Sequence, residues 1–177
     1  MKTVAIARYG AGNVRSVELA VRRLGAEVTD DLERADLAVL PGVGSARSAM
    51  DGLGAAADVL RARHAAGRPI LGICLGLQLA LDESEEDGGV PGLGLVPGRA
   101  VRLVGERVPR IGWAQVEPSG EAYWFAHSYA AETDATVATS EGVAAIVEHG
   151  SFTGVQFHPE KSGAAGARFL EQCLSRA

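Results

Sequence analysis

Residues 69–81 read PILGICLGLQLAL, a β-type apolar run that ends at Cys74 and a helical pattern that begins at Leu75, with Gly72 and Gly76 two positions either side of the cysteine. A strand that passes at once into a helix is the repeating unit of a parallel α/β sheet, because parallel neighbours need long crossovers that are usually helical. The residues upstream repeat that unit. TVAIA at 3–7 precedes a helical pattern with Val14, Val17, Val21 and Leu24 on one face, and AEVTD at 26–30 and LAVLPG at 37–42 follow. Asn13 stands where a cap opens the first helix and Gly25 where one closes it. Between Ser45 and Gly67 there is room for one or two helices before the strand that reaches Cys74.

The pattern changes after DESEEDGGVPGLGLVPG at 82–98, a stretch too rich in Gly and Pro for regular structure. RAVRLV, IGWAQV, EAYWFAHSY, ATVATS, VAAIVEHG and FTGVQFHPE are shorter β-like runs, expected as antiparallel additions to the parallel core. The last segment, GAAGARFLEQCLSRA, places Phe169, Leu170, Cys173 and Leu174 on one helical face, which makes Cys173 a small core residue. The expected architecture is a central, mostly parallel sheet flanked by helices, with antiparallel additions in the second half. With 177 residues, 47% of them hydrophobic, and with no repeat or linker, it fits one domain over residues 1–177.

Composition also excludes function classes. A net charge of −5 without a run of Lys or Arg offers no surface for nucleic acid or an anionic membrane. The amino-terminal apolar run is too short for a signal peptide or a span, so a cytoplasmic protein is expected, with Cys74 and Cys173 reduced and unpaired.

Gly-x-Cys-x-Gly at a strand-to-helix turn has the spacing of a nucleophile elbow, in which flanking side chains are kept small to expose the reactive atom. A thiol at a helix amino end is favoured as thiolate, and the first free N–H groups can receive an oxyanion. The same residues also suit a buried cysteine packed where helix and strand approach closely. The motif alone leaves both readings open.

A base decides between them. His64 lies in a polar helical stretch, His149 beside a Gly turn, and His127, in FAHSY, reads as a strand residue bonded to its surroundings. His158 differs because it closes an apolar β-run as His-Pro-Glu. Pro159 biases His158 towards extended backbone, and residues two apart in an extended chain share a side, so Glu160 can orient the imidazole. Nucleophile, base and orienting acid are the three members of an acyl-transfer triad. A surface turn with a local His–Glu contact is the plain alternative; a metal site lacks any further His or Cys at ligand spacing.

Three stretches in this order, PGVGS at 41–45, GICLGLQ at 72–78 and GVQFHPEKS at 154–162, resemble class I glutamine amidotransferases of the triad type. Within that family, YGAGNVRSV, SEE before GLGLVPG, VPRIGWAQV and FAHSY are similar to glutaminase subunits that serve a separate (β/α)8-barrel cyclase in histidine biosynthesis. The resemblance spans nearly the whole chain. It implies that Cys74 attacks the side-chain amide of L-glutamine, that His158 acts as base and then as acid to the departing ammonia, and that Glu160 orients His158. It implies an oxyanion hole of backbone amides at Gly42, Val43 and Leu75, and glutamine binding by Gln78 with the backbone of Ser128 and Tyr129. No cofactor or metal is implied. The implied partner is the barrel cyclase, in a heterodimer, which uses the ammonia to make imidazole glycerol phosphate and an aminoimidazole carboxamide ribotide. Arg8 stands where the subgroup commonly has an acidic residue, Arg110 where it has His and Ala114 where it has Asn. Glutaminase subunits of anthranilate or aminodeoxychorismate synthase fit less well, given YGAGN and the Lys161 that follows Glu160. A binding module without activity is disfavoured by the intact Cys74, His158 and Glu160.

Overall fold

A computed structural model describes residues 1–10, 13–105 and 108–177. Ala11 and Gly12 of the YGAGN stretch lie outside the described residues, as do Glu106 and Arg107. The chain begins with strand β1 (Thr3–Ile6), helix α1 (Val14–Arg23), β2 (Glu27–Thr29), β3 (Leu37–Leu40), α2 (Ala46–Leu53), α3 (Ala55–Ala65), β4 (Ile70–Ile73) and α4 (Leu75–Ala80). β3 and β4 are buried at every position, the mark of parallel strands covered on both faces. The second half holds β5 (Glu83–Ser84), β6 (Val90–Pro91), β7 (Arg99–Arg102), β8 (Arg110–Val116), β9 (Glu121–His127), β10 (Tyr129–Glu132), β11 (Thr136–Ser140), β12 (Val143–His149) and β13 (Phe152–Val155). The last helix is α5 (Gly163–Arg176).

The main sheet has seven strands in the order β11-β12-β13-β4-β3-β1-β2. Its two apolar layers follow the strand alternation. Val4, Ile6, Val39, Leu71 and Ile73 pack with Val17 and Val21 of α1 and Leu170 and Leu174 of α5. Ala38, Leu40 and Ile70 pack with Leu53 of α2, Leu60 of α3 and Leu77 of α4.

Four expectations need correction. The FTGV run is no antiparallel addition: β13 pairs with β12 antiparallel but with β4 parallel, Phe152 opposite Ile70 and Val155 opposite Ile73. The hairpin from β12 brings it back in the direction of β4, which a pattern read strand by strand does not reveal. EAYWFAHSY is two strands in two sheets, broken at Ser128, since β9 pairs with β8 and β10 with β7. Residues 82–98 carry two short strands and one helical turn, Glu86–Gly88, whose acidic side chains accept backbone N–H groups at the start of α2, Glu86 from Ala46 at 2.8 Å. Asn13 occupies the cap position of α1 without a side-chain hydrogen bond, whereas Gly25, at φ 82°, closes that helix as expected.

Candidate active site

The carboxyl ends of three adjacent parallel strands converge. β3 leads into Pro41–Gly44, β4 into Cys74 and β13 into Gln156–Glu160, and a site at this edge is the usual place for ligands in open parallel sheets. The Cys74 N–H donates to the Val155 carbonyl at 2.7 Å, so the strand pairing runs up to the turn itself.

Cys74 is one of three described non-glycine residues with positive φ, at φ 51° and ψ −107°, and α4 starts at the next residue. The flanking glycines have a packing reason. A Cβ on Gly76 would collide with the Leu40 carbonyl, and one on Gly72 would come within 2.9 Å of Gly76 and closer still to the Phe152 ring. A Cβ on Gly42 would meet the Ile73 carbonyl and the Leu75 nitrogen. The glycines therefore let β3, its loop and α4 close together, and the strain of the turn falls on the cysteine. Tight packing around the turn leaves Cys74 itself buried, 7% exposed and in contact with the α1–α5 layer.

His158 is 2% exposed and extended, at φ −102° and ψ 94°. Its Nδ1 lies 2.9 Å from Glu160 Oε1, and both side chains are buried. The contact arises differently from the expected extended alternation: Pro159–Lys161 form a single helical turn that folds Glu160 back onto the ring. Burial alone would lower the His158 pKa, but hydrogen bonds and charge from Cys74 and Glu160 raise it to about 9. Cys74 Sγ also lies 3.7 Å from the Ala126 carbonyl.

A cleft of about 270 Å³ is lined by Gly42, Val43, Cys74, Leu75, Gln78, Glu86, Ile111, His127, Ser128 and Tyr129, among others. All six positions that the resemblance assigned to the oxyanion and to glutamine binding thus lie around one opening with Cys74. The Val43 amide meets the Tyr9 hydroxyl, which itself donates to the Pro41 carbonyl. Tyr9 is held protonated by burial and by the nearness of Cys74. Gln78 is 4% exposed, and its Nε2 donates to the Tyr129 carbonyl at 2.8 Å.

Three residues around this cleft, Tyr9, Ser162 and Gln156, escaped the sequence reading, and a fourth, His127, is the bonded strand residue expected but also faces the cleft. Tyr9 steadies the Gly42 loop, and Ser162 accepts the Trp124 N–H at 2.9 Å while donating to the His158 carbonyl at 2.6 Å. Gln156 is wholly buried next to Cys74. His127 lines the cleft with Nδ1 2.8 Å from the Tyr129 carbonyl; burial, offset only in part by that bond, lowers its pKa to about 4. For Gln156 a signal existed: a polar side chain inside an apolar run, two positions from His158 and hence on its side. His64 and His149 lie elsewhere and stack on one another at 6.0 Å.

Of the three departures from the subgroup pattern, Arg8 pairs with Glu18 at 2.6 Å. Arg110 covers the Phe125 ring at 4.4 Å, bonds Ser140 Oγ at 2.7 Å and pairs with Glu141 at 3.2 Å. Ala114 packs against the α1–α5 layer.

A nucleophile-type elbow and a buried His–Glu pair stand at the end of a mostly parallel sheet, and the family model for glutamine amidotransferase class-I matches residues 4–177. The chain belongs to that family. Among its relatives, imidazole glycerol phosphate synthase subunit HisH of Methanothermobacter thermautotrophicus is 47% identical, over 94% of this chain and 95% of the relative. The proteins of the same name from Natronomonas pharaonis and Exiguobacterium sibiricum are 43% and 42% identical, over 98% and 96% of this chain and 96% and 93% of theirs. A crystal structure described as a glutamine amidotransferase superposes over the full length of both chains with a TM-score of 0.77 at 20% identity, a likeness of fold.

Proposed function

We propose that the chain, acting as one domain over residues 1–177, is the glutaminase subunit of imidazole glycerol phosphate synthase in histidine biosynthesis. The observation that carries this reading is Cys74 on a strained turn, close enough to raise the pKa of a His158 that is itself 2.9 Å from Glu160. In the proposed reaction the Cys74 sulfur adds to the side-chain amide carbon of L-glutamine, and the negative oxygen is received by backbone N–H groups at Leu75 and in the Gly42–Val43 loop. His158, protonated at neutral pH by its raised pKa, gives its proton to the departing nitrogen. The C–N bond breaks, ammonia leaves and a glutamyl thioester remains. His158, now neutral, takes a proton from water, whose oxygen releases glutamate and restores the sulfur. Glu160 holds the ring through Nδ1 and stabilises each imidazolium. Gln78 and the Ser128–Tyr129 backbone hold the glutamine.

Ammonia freed into water at neutral pH becomes ammonium and loses its nucleophilicity, so the acceptor site must lie close by. The acceptor is a separate (β/α)8-barrel cyclase that pairs with this chain as a heterodimer in the cytoplasm. No helix among the described residues is long and apolar enough to cross a membrane. Glutamine hydrolysis measured for the chain alone, and with the cyclase carrying its nucleotide ligand, tests the reading. Slow turnover alone and a large increase in the pair are expected. Equal rates refute the coupling, and absent hydrolysis in both refutes the glutaminase.

A further inference from the structure

The steps above leave Gln156 unused, although its side chain touches the nucleophile. Its Nε2 donates to Cys74 Sγ at 3.5 Å, and its Oε1 accepts from Gln78 Nε2 at 3.1 Å. The other Gln78 hydrogen goes to the Tyr129 carbonyl at 2.8 Å, and His127 Nδ1 lies 2.8 Å from the same oxygen. The order cannot be reversed. A carbonyl only accepts, so Gln78 must present its NH2 group to Tyr129, and its second hydrogen can be received only by an oxygen of Gln156. Gln156 then has its NH2 group, never its oxygen, towards the sulfur. An amide whose two ends are otherwise interchangeable is thus fixed by a backbone carbonyl two hydrogen bonds away. Burial of Gln156 at 0% exposure and of Gln78 at 4% keeps water from competing for these bonds.

We propose that Gln156 is a further catalytic residue of the glutaminase, holding the Cys74 sulfur as a thiolate by a directed N–H, with Gln78 as the positioning residue that sets its orientation. The proposal rests on the glutaminase reading and deepens it. A thiol can donate to the Ala126 carbonyl, 3.7 Å from the sulfur, whereas a thiolate is repelled by that oxygen and needs a donor in compensation. Gln156 supplies one from the side of the main sheet. Because Gln78 also faces the cleft, occupation of the glutamine site is transmitted to the sulfur through two rigidly oriented amides.

The test is the pH dependence of Cys74 alkylation by iodoacetamide, with Cys173→Ser removing the second thiol. Gln156→Met, similar in length and without a donor, should move the midpoint up by roughly one to two pH units, the size of a hydrogen bond to a charged group. In the complex with the cyclase, kcat for glutamine should fall about tenfold with KM within about twofold, again the scale of one such bond. An unchanged midpoint in a variant that melts within a few degrees of the parent overturns the proposal. If Gln156→Met does not fold, the ¹⁵N resonance of the Gln156 side chain in the unsubstituted chain should move with the Cys74 titration and shift on alkylation; a resonance indifferent to both overturns it. Alkylation needs no turnover, so a chain that alkylates as expected and hydrolyses no glutamine sinks the glutaminase and leaves the thiolate contact standing.

Discussion

Cys74 holds φ 51° and ψ −107°, a backbone that glycine adopts freely and other residues adopt at a cost of roughly 1–3 kcal/mol. Cys74→Gly is therefore expected to be more stable than Cys74→Ala by about 1 kcal/mol in urea unfolding, with both devoid of glutamine hydrolysis. Equal stabilities would remove the strain from the account of the turn. The two buried histidines act in opposite pH ranges. His158, raised from 6.5 to about 9, contributes stability that is full below pH 6.5 and lost as the pH rises through 9. His127, lowered from 6.5 to about 4, is held neutral, so its contribution is full above pH 6.5 and is lost as the pH falls towards 4, by roughly 3 kcal/mol. Chemical denaturation across this range should give a maximum near neutrality, and His127→Phe should flatten the acid side while leaving the alkaline side as it was.

At the scale of elements, the site depends on how closely α4 lies against the end of β3. Gly76 has no room for a methyl group beside the Leu40 carbonyl, and Gly42 none beside Ile73 and Leu75. Gly76→Ala should cost about 3 kcal/mol or more, the upper range for overpacking, because the obstacle is backbone and cannot rotate away. A variant within 1 kcal/mol of the parent would show that α4 can slide. How much of the site was legible follows from the same geometry. The strand, turn and helix around Cys74 are contiguous, so their periodicities change at one residue and mark the elbow. The partnership of β13 with β4 links residues far apart in the chain, and no local pattern carries it. Glu160 was legible as the partner of His158, but the helical turn that delivers it was not, since Pro159 both extends the residue before it and opens a turn after it.

Across the whole molecule, the cleft opens beside an apolar surface. Ile111, 63% exposed, lines both the cleft and a neighbouring hollow that Trp113, 57% exposed, also lines. Large side chains left in water beside a site suit a partner that covers them. Trp113→Ala should weaken association with the proposed barrel cyclase about tenfold or more, as loss of a buried aromatic anchor does, while hydrolysis by the chain alone stays within twofold. Titration calorimetry of the pair reads the first and a glutamate assay the second; unchanged affinity would move the docking face elsewhere. Arg110, tied to Ser140, Glu141 and the Phe125 ring, braces the β8–β9 ladder that carries this surface.

The order of residues along the chain was enough for the α/β class, the elbow at Cys74 and the pairing of His158 with Glu160, because each depends on neighbours within a few positions. Assembly in three dimensions was needed for contacts between distant segments that no motif carries: β13 beside β4, the Tyr9 hydroxyl on the Pro41 carbonyl, and the line of amides from Tyr129 through Gln78 and Gln156 to the sulfur. Periodicity tells which side of an element a residue occupies. Only packing tells which other element is waiting there.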